Sequence, residues 1–336
     1  MLHHIPVPPL RRPTAGIRDA VATALADGVS SGLRIHPGAP REEDLVLGLL
    51  TSGVHSLRTE LSAALRSTRL RVNVGGVFCH GTPKVTLLAG AAVGESCELA
   101  DLLIVTRYAS PAHVMRQALL LQFKRTTSTH GATPTQRALY ETWPRFEYVI
   151  TKGLSGIARN VGGLPVPHAG GRFADIGPCA NCSRWHQIQQ ETYWRPAPAP
   201  RLELVDEITD MIVGAAGRGF TLPAPAGSTG WSRIIEDLLR VTARRTVKLA
   251  GRIRNVPAGV GRNALSLLLA ERCMVTFAGP APHDLGRFLQ PRQRADLEAL
   301  MSVEGPLDPF NMPAALADDD DNRAVSTLYI EVGPEQ

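Results

Sequence analysis

Two apolar runs, Leu102 to Val105 and Ala118 to Leu121, stand out in the hydrophobic pattern of this chain. Each is four residues long, flanked by polar positions and separated by a turn-rich break, the pattern of buried neighbouring strands. Around them, Leu70 to Cys79 alternates well enough for a strand with a glycine bend, and Val85 to Ala92 reads as another, the two making a hairpin across His80–Pro83. Phe146 to Thr151 and Val325 to Val332 complete the expected strands. Val275 to Phe277 adds a short one. Helical spacing appears first in Ile17 to Ala26, which Gly28 is expected to end. It returns after Arg41, where Glu42, Glu43 and Asp44 form an acidic first turn that complements a helix dipole. Leu45, Leu49, Leu57, Leu61 and Leu65 then carry one helix or a broken pair to about Thr68. Further helices are predicted from Thr135 to Trp143, Leu202 to Gly214, Trp231 to Lys248, Asn263 to Arg272 and Arg287 to Val303.

The two central runs carry polar residues that packing alone does not require. Asp101 opens the first, and Gln122 and Lys124 close the second. Period-two alternation puts Gln122 and Lys124 on one face. A carboxylate, an amide oxygen and an ammonium at adjacent strand ends suit a hard divalent cation shared with a substrate phosphate. A structural alternative gives Asp101 the job of capping a strand and leaves Gln122 and Lys124 at a solvated strand end.

Asp101 followed by Gln122-Phe123-Lys124 resembles the PD-(D/E)XK nuclease superfamily, in the variant with Gln in place of the second acid, as in Mrr-like restriction endonucleases. The resemblance covers about residues 42 to 148. The sequence departs from the parent pattern at Gln122, which is uncharged, and at Ala100, where the family has Pro. The resemblance implies an α/β fold, a restriction-endonuclease-like mixed sheet flanked by helices, and Mg2+- or Mn2+-dependent hydrolysis of phosphodiesters in DNA. Asp101 and the carbonyl of Phe123 would ligate the ion, Lys124 would position or deprotonate water, and Gln122 would orient that shell. A glutamate of the first helix joins the metal site in several such enzymes. Glu43, on a face with Leu47, Leu50 and Val54, is the first candidate for that role and Glu42 the second. The resemblance also implies a bacterial restriction or antiviral defence setting, with partner proteins of such a system. The rivals are a catalytically inactive nuclease-fold module that binds DNA or a protein, and a zinc-containing regulator.

Composition changes the picture in a few places. The 336 residues allow two domains, and a net charge of +5 permits a polyanionic partner. Aromatic residues are 5%, too few for a stacking platform as the main mode of nucleic-acid binding. No apolar run approaches a membrane span, and five cysteines without a secretory signal point to reduced thiols in a cytoplasm. Cys179, Cys182 and His186 have the spacing of a zinc knuckle, with His168 and Cys273 eligible as a fourth ligand. Without that ligand the cysteines are a chance reduced pair. Arg240, Arg244 and Lys248 recur at i, i+4, i+8, a stripe that either lies along a phosphate backbone or forms a solvated helix face. Gly- and Pro-rich segments divide the chain into a nuclease-like core (1–165), a Cys-containing connector (166–200) and a mainly helical C-terminal region (201–336) with a basic helix and a final strand. The sequence leaves oligomerisation open.

Overall fold

A computed structural model describes residues 15–35, 42–68, 70–79, 83–110, 113–125, 133–151, 153–161, 170–176, 188–189, 204–254, 273–278 and 324–334. Within these, the chain is an α/β protein in which helices flank a mixed sheet. The helices are α1 (Ala15–Ile35), α2 (Glu42–Gly48), α3 (Val54–Ala64), α4 (Pro134–Thr142), α5 (Leu204–Ile212) and α6 (Trp231–Arg254). The strands are β1 (Leu70–Cys79), β2 (Lys84–Leu87), β3 (Ser96–Glu98), β4 (Leu102–Ala109), β5 (Val114–Arg125), β6 (Phe146–Val149), β7 (Ala158–Arg159), β8 (Gly171–Ile176), β9 (Ile188–Gln189), β10 (Arg218–Gly219), β11 (Cys273–Ala278) and β12 (Ser326–Pro334). No described helix is long and apolar enough to cross a membrane.

The main sheet runs β11-β1-β12-β4-β5-β8-β9, with β10 paired to β5. The two apolar runs are its centre: Leu102 to Val105 of β4 and Ala118 to Leu121 of β5 are fully buried, and Leu102 pairs antiparallel with Leu121. Strands covered on both faces lose the apolar/polar alternation, which is why these two read as continuous runs. On the far side of β5, β8 pairs parallel. β12 lies between β1 and β4, antiparallel to the first and parallel to the second. Arg107 of β4 and Glu331 of β12, directly opposed in that register, form a nearly buried ion pair across the junction.

This topology corrects one expectation and bears on another. β1 and β2 do not form a hairpin: β2 pairs with β3 and β6 in a second, four-stranded sheet of order β3-β2-β6-β7. The boundaries expected at residues 165 and 200 do not coincide with the edges of the sheet, because β8, β11 and β12 complete the sheet begun by β1, β4 and β5. Hydrogen-bonded partners are distant in sequence, and local punctuation by Gly and Pro does not report them. The helices expected at Asn263–Arg272 and Arg287–Val303 lie outside the described residues.

α1 continues through Gly28 to Ile35 instead of stopping there. Gly28 and Gly32 are the contact points for α2: a Cβ on Gly48 would lie 2.1 Å from the Gly28 carbonyl oxygen and 2.5 Å from the Gly32 nitrogen. The glycines permit two backbones to touch. The broken helix pair takes the form of a π-helical turn, Leu49–Gly53, between α2 and α3, in which the Thr51 hydroxyl donates back to the Leu47 carbonyl at 2.8 Å. α4 begins on a capping box of Thr133 and Gln136 with Pro134 in the first turn, and ends at Trp143 in a left-handed conformation. Trp143 stacks with Tyr140 and meets Trp231 edge-on, and Tyr140 also packs on Phe173, so one aromatic cluster joins α4, β8 and the start of α6.

Candidate functional site

Where β4 begins, the Asp101 N–H donates to the Leu121 carbonyl at 2.8 Å, closing the β4–β5 ladder. Beyond this point β5 continues alone on that side, through Gln122, Phe123 and Lys124. The Asp101 side chain takes over the role of the missing strand. Phe123 donates its backbone N–H to Asp101 Oδ2 at 2.6 Å, and Gln122 Nε2 donates to the same oxygen at 2.5 Å. Gln122 is 1% exposed, and its Oε1 is buried with no donor. A buried amide oxygen without a partner costs on the order of 1–3 kcal/mol, so this corner holds an unmet demand for a cation or a donor.

The electrostatics agree with the geometry. Burial, and then the charge of Glu98, push the Asp101 carboxyl from 3.8 up to about 8; the Phe123 N–H and Lys124 pull it down, and Glu42 pushes it up. Lys124, half-buried at the end of β5, therefore acts on Asp101. It also acts on Cys97, whose thiol burial and Glu98 nevertheless push up to about 12. That thiol is a poor nucleophile at neutral pH. Tyr140 of α4 donates its hydroxyl to the Leu99 carbonyl at 2.8 Å, bracing the chain two residues before Asp101.

Asp101, Gln122 and Lys124 are thus brought to one corner. Glu43 is not the helix acid whose charge registers at Asp101. Its side chain is exposed, and Glu42, one residue earlier and half-buried, exerts that effect. Helical periodicity placed Glu43 with the apolar face, but Glu43 lies in the first turn of α2, before the buried run that begins at Asp44. Gln136 is engaged in the α4 capping box, where its Oε1 accepts from the Thr133 N–H. Phe123 contributes its N–H to Asp101, and its ring is buried.

Among the described residues no three His, Cys, Asp or Glu side chains gather closely enough to hold a metal ion. The donor set that does exist is one carboxylate and one amide oxygen. These are hard ligands, suited to an Mg2+ or Mn2+ that keeps several waters and takes its remaining ligands from a substrate. The unpartnered Gln122 Oε1 fits a cation here, while burial favours the neutral form of Asp101.

Cys179, Cys182 and His186 lie outside the described residues, as do His80 and His168, while Cys273 falls on the first residue of β11. Arg240 lies on α6, with Arg244 and Lys248 four and eight residues further along the same helix. Its guanidinium donates to Glu236 Oε1 at 3.3 Å. Glu98 lies three residues before Asp101 in the chain, which marks it as a support for a metal or a flank of the strand, and its charge acts on the Asp101 carboxyl. Tyr140 carries no motif that marks it; only the packing of α4 brings it to Asp101. No family model, no curated protein and no solved structure matches this chain.

Proposed function

We propose that the chain is a metal-dependent phosphodiesterase acting on DNA, built on a restriction-endonuclease-like core. The observation that carries this reading is the meeting of Asp101, Gln122 and Lys124 at the ends of two adjacent antiparallel strands, with the buried Gln122 Oε1 lacking a donor. The helix after Lys124, α4, supports it by bracing the Asp101 segment, and β8 by pairing parallel to β5 at Gln122 and Lys124.

A divalent ion at this corner supplies Lewis-acid polarisation of the phosphate and a more acidic water. Asp101 Oδ1 and Gln122 Oε1 are the side-chain oxygens that would hold it. Asp101 must lose its proton to do so, and Lys124 favours that loss. Lys124 offers the ammonium that steadies charge gathering on the phosphate oxygens in the transition state. Gln122, fixed through its own Nε2 to Asp101, keeps the carboxylate in one orientation. The main rival is favoured by the same carboxyl. With its proton held to about 8, Asp101 at neutral pH is also a good neutral cap for an open strand edge. Under that reading the chain binds DNA or a protein partner and cuts nothing. A cytoplasmic setting, a defence role with partner proteins and a zinc knuckle at Cys179, Cys182 and His186 remain parts of this proposal that rest on sequence.

Nicking of supercoiled plasmid in Mg2+ or Mn2+ decides between the two. Under the nuclease reading Lys124→Ala lowers the rate by at least about 100-fold, EDTA abolishes it, and the unfolding transition is retained. Equal cleavage by Lys124→Ala, cleavage in EDTA, or a folded wild-type protein that never cuts overturns the assignment.

A further inference from the structure

Cys79 ends β1, Cys273 begins β11, and the antiparallel register of these two strands sets the cysteines directly opposite each other. The kind of pair they form follows from where Cys79 sends its main-chain groups. In an antiparallel ladder the N–H and C=O of one residue point to the same neighbouring strand, and successive residues alternate between neighbours. The Cys79 N–H donates to Ser326 Oγ at 3.1 Å, and the Ser326 hydroxyl donates to the Cys79 carbonyl at 3.2 Å. Both groups therefore point toward β12 and away from β11. Pro334 of β12, which has no N–H to give, stands opposite Leu70, an even-numbered position of β1, as this alternation requires.

Cys79 and Cys273 are thus a non-hydrogen-bonded pair of the β1–β11 ladder. In pairs of this class the opposed Cα atoms come to about 4.5 Å and cross-strand approach is closest. A disulfide spans Cα separations of about 4.4–6.8 Å, so the bond can close here without moving either strand. Cys79 carries a buried thiol. Core packing asks for a small apolar residue at such a position and gives no reason for a second cysteine opposite it. Cys97, the other buried thiol among the described residues, stands opposite Val85 and has no such opportunity. β11 is the edge strand of the described sheet, paired with β1. A strand end at an edge opens more readily than the middle of a ladder, which gives a reagent access to the pair.

We propose that Cys79 and Cys273 are a thiol–disulfide exchange site, closing a reversible disulfide at the expense of a low-molecular-weight disulfide of the glutathione class. One cysteine, as its thiolate, attacks a sulfur of the small disulfide, which forms a mixed disulfide and expels one small thiol. The opposed cysteine then attacks the protein sulfur of that intermediate, closes the Cys79–Cys273 bond and expels the second small thiol. Two protein thiols are oxidised, and one small disulfide is reduced to two thiols that carry away the protons. The new bond ties the edge strand to the sheet across more than half of the chain, so it removes a large loop from the unfolded ensemble. In a reducing compartment such a bond is transient and records an oxidising episode. It gives Cys273 an occupation other than the fourth position of a zinc knuckle. The proposal uses no residue of the Asp101 corner and does not depend on that reading.

Peptide mass spectrometry of the full, folded chain tests it, after incubation in mixtures of reduced and oxidised glutathione and quenching with an alkylating reagent. A linked Cys79–Cys273 peptide is expected to accumulate as the mixture becomes more oxidising, and dithiothreitol returns it to two alkylated thiols. The oxidised chain is expected to melt several degrees above the reduced one. Cys273→Ser abolishes both the crosslink and the melting shift, and Cys97→Ser abolishes neither. Absence of the linked peptide even in oxidised glutathione alone overturns the proposal, as does a melting shift that persists in Cys273→Ser. Stable glutathione adducts on both cysteines in place of the crosslink would show that the two sulfurs do not meet. Loss of crosslinking on addition of Zn2+, with Cys273 protected from alkylation, would assign that cysteine to a metal. Either result also overturns it.

Discussion

Burial and two nearby glutamates hold a proton on Asp101 up to about 8, whereas the unfolded chain releases it near 3.8. Between those values the folded state binds more protons than the unfolded state, so the free energy of unfolding falls as pH rises. Asp101→Asn removes this penalty while keeping an oxygen for the Phe123 and Gln122 donors. Its melting temperature is therefore expected to match wild type near pH 4 and to exceed it by several degrees at pH 8.5; melting curves that stay parallel across that range would contradict the buried carboxyl. Gln122→Glu places a second carboxyl beside Asp101 in the same buried corner. In EDTA this change is expected to cost on the order of 3 kcal/mol in urea unfolding, and millimolar Mg2+ should restore much of the loss. If Mg2+ restores nothing, the corner is not a cation site. Asp101, Gln122 and Lys124 were legible in sequence because polar residues at the ends of fully apolar strands have few structural reasons to be there. Glu42 was separated from Glu43 only by the direction of one helix turn. The opposition of Cys79 and Cys273 was not legible, since only the pairing of β11 with β1 brings them together.

At the scale of elements, hydrophobic runs told which segments form strands and helices, and glycine was misread. Gly28 looked like a helix stop because glycine is costly inside a helix. In α1 the cost is offset by a contact that a side chain would prevent, and the signature of such a contact lies in a different helix, at Gly48. Gly48→Ala is accordingly expected to force α2 away from α1 and to lower stability by about 2–5 kcal/mol. A denaturant midpoint equal to wild type would show that the helices pass each other with room to spare. Because α2 begins with Glu42, the same variant should also lower the pH at which Asp101 gives up its proton. The four-stranded sheet was illegible for another reason. β2 and β6 each read as strands, but which strand pairs with which is decided by packing far along the chain.

At the scale of the molecule, β12 is the piece on which the sheet depends. It fills the space between β1 and β4, with Leu70 of β1 opposite Pro334 and Leu102 of β4 opposite Ser326. A chain shortened to end at residue 323 is therefore expected to lose the cooperative unfolding transition of the whole protein, including its N-terminal half, and to expose apolar surface to a dye such as ANS. Retention of a sharp transition by that fragment would show that the sheet does not depend on β12. The position of β12 also governs when the protein comes into being. On the ribosome, β4 and β5 emerge some 200 residues ahead of β12, a delay of roughly 10–40 s at ordinary elongation rates. Throughout that interval the facing edges of β1 and β4 have no strand between them, and a nascent chain in this condition is a client for chaperones. Under the nuclease reading the delay has a second effect: prematurely terminated copies, lacking the strand that seats β4, would release no active enzyme into a cell whose own DNA is a substrate.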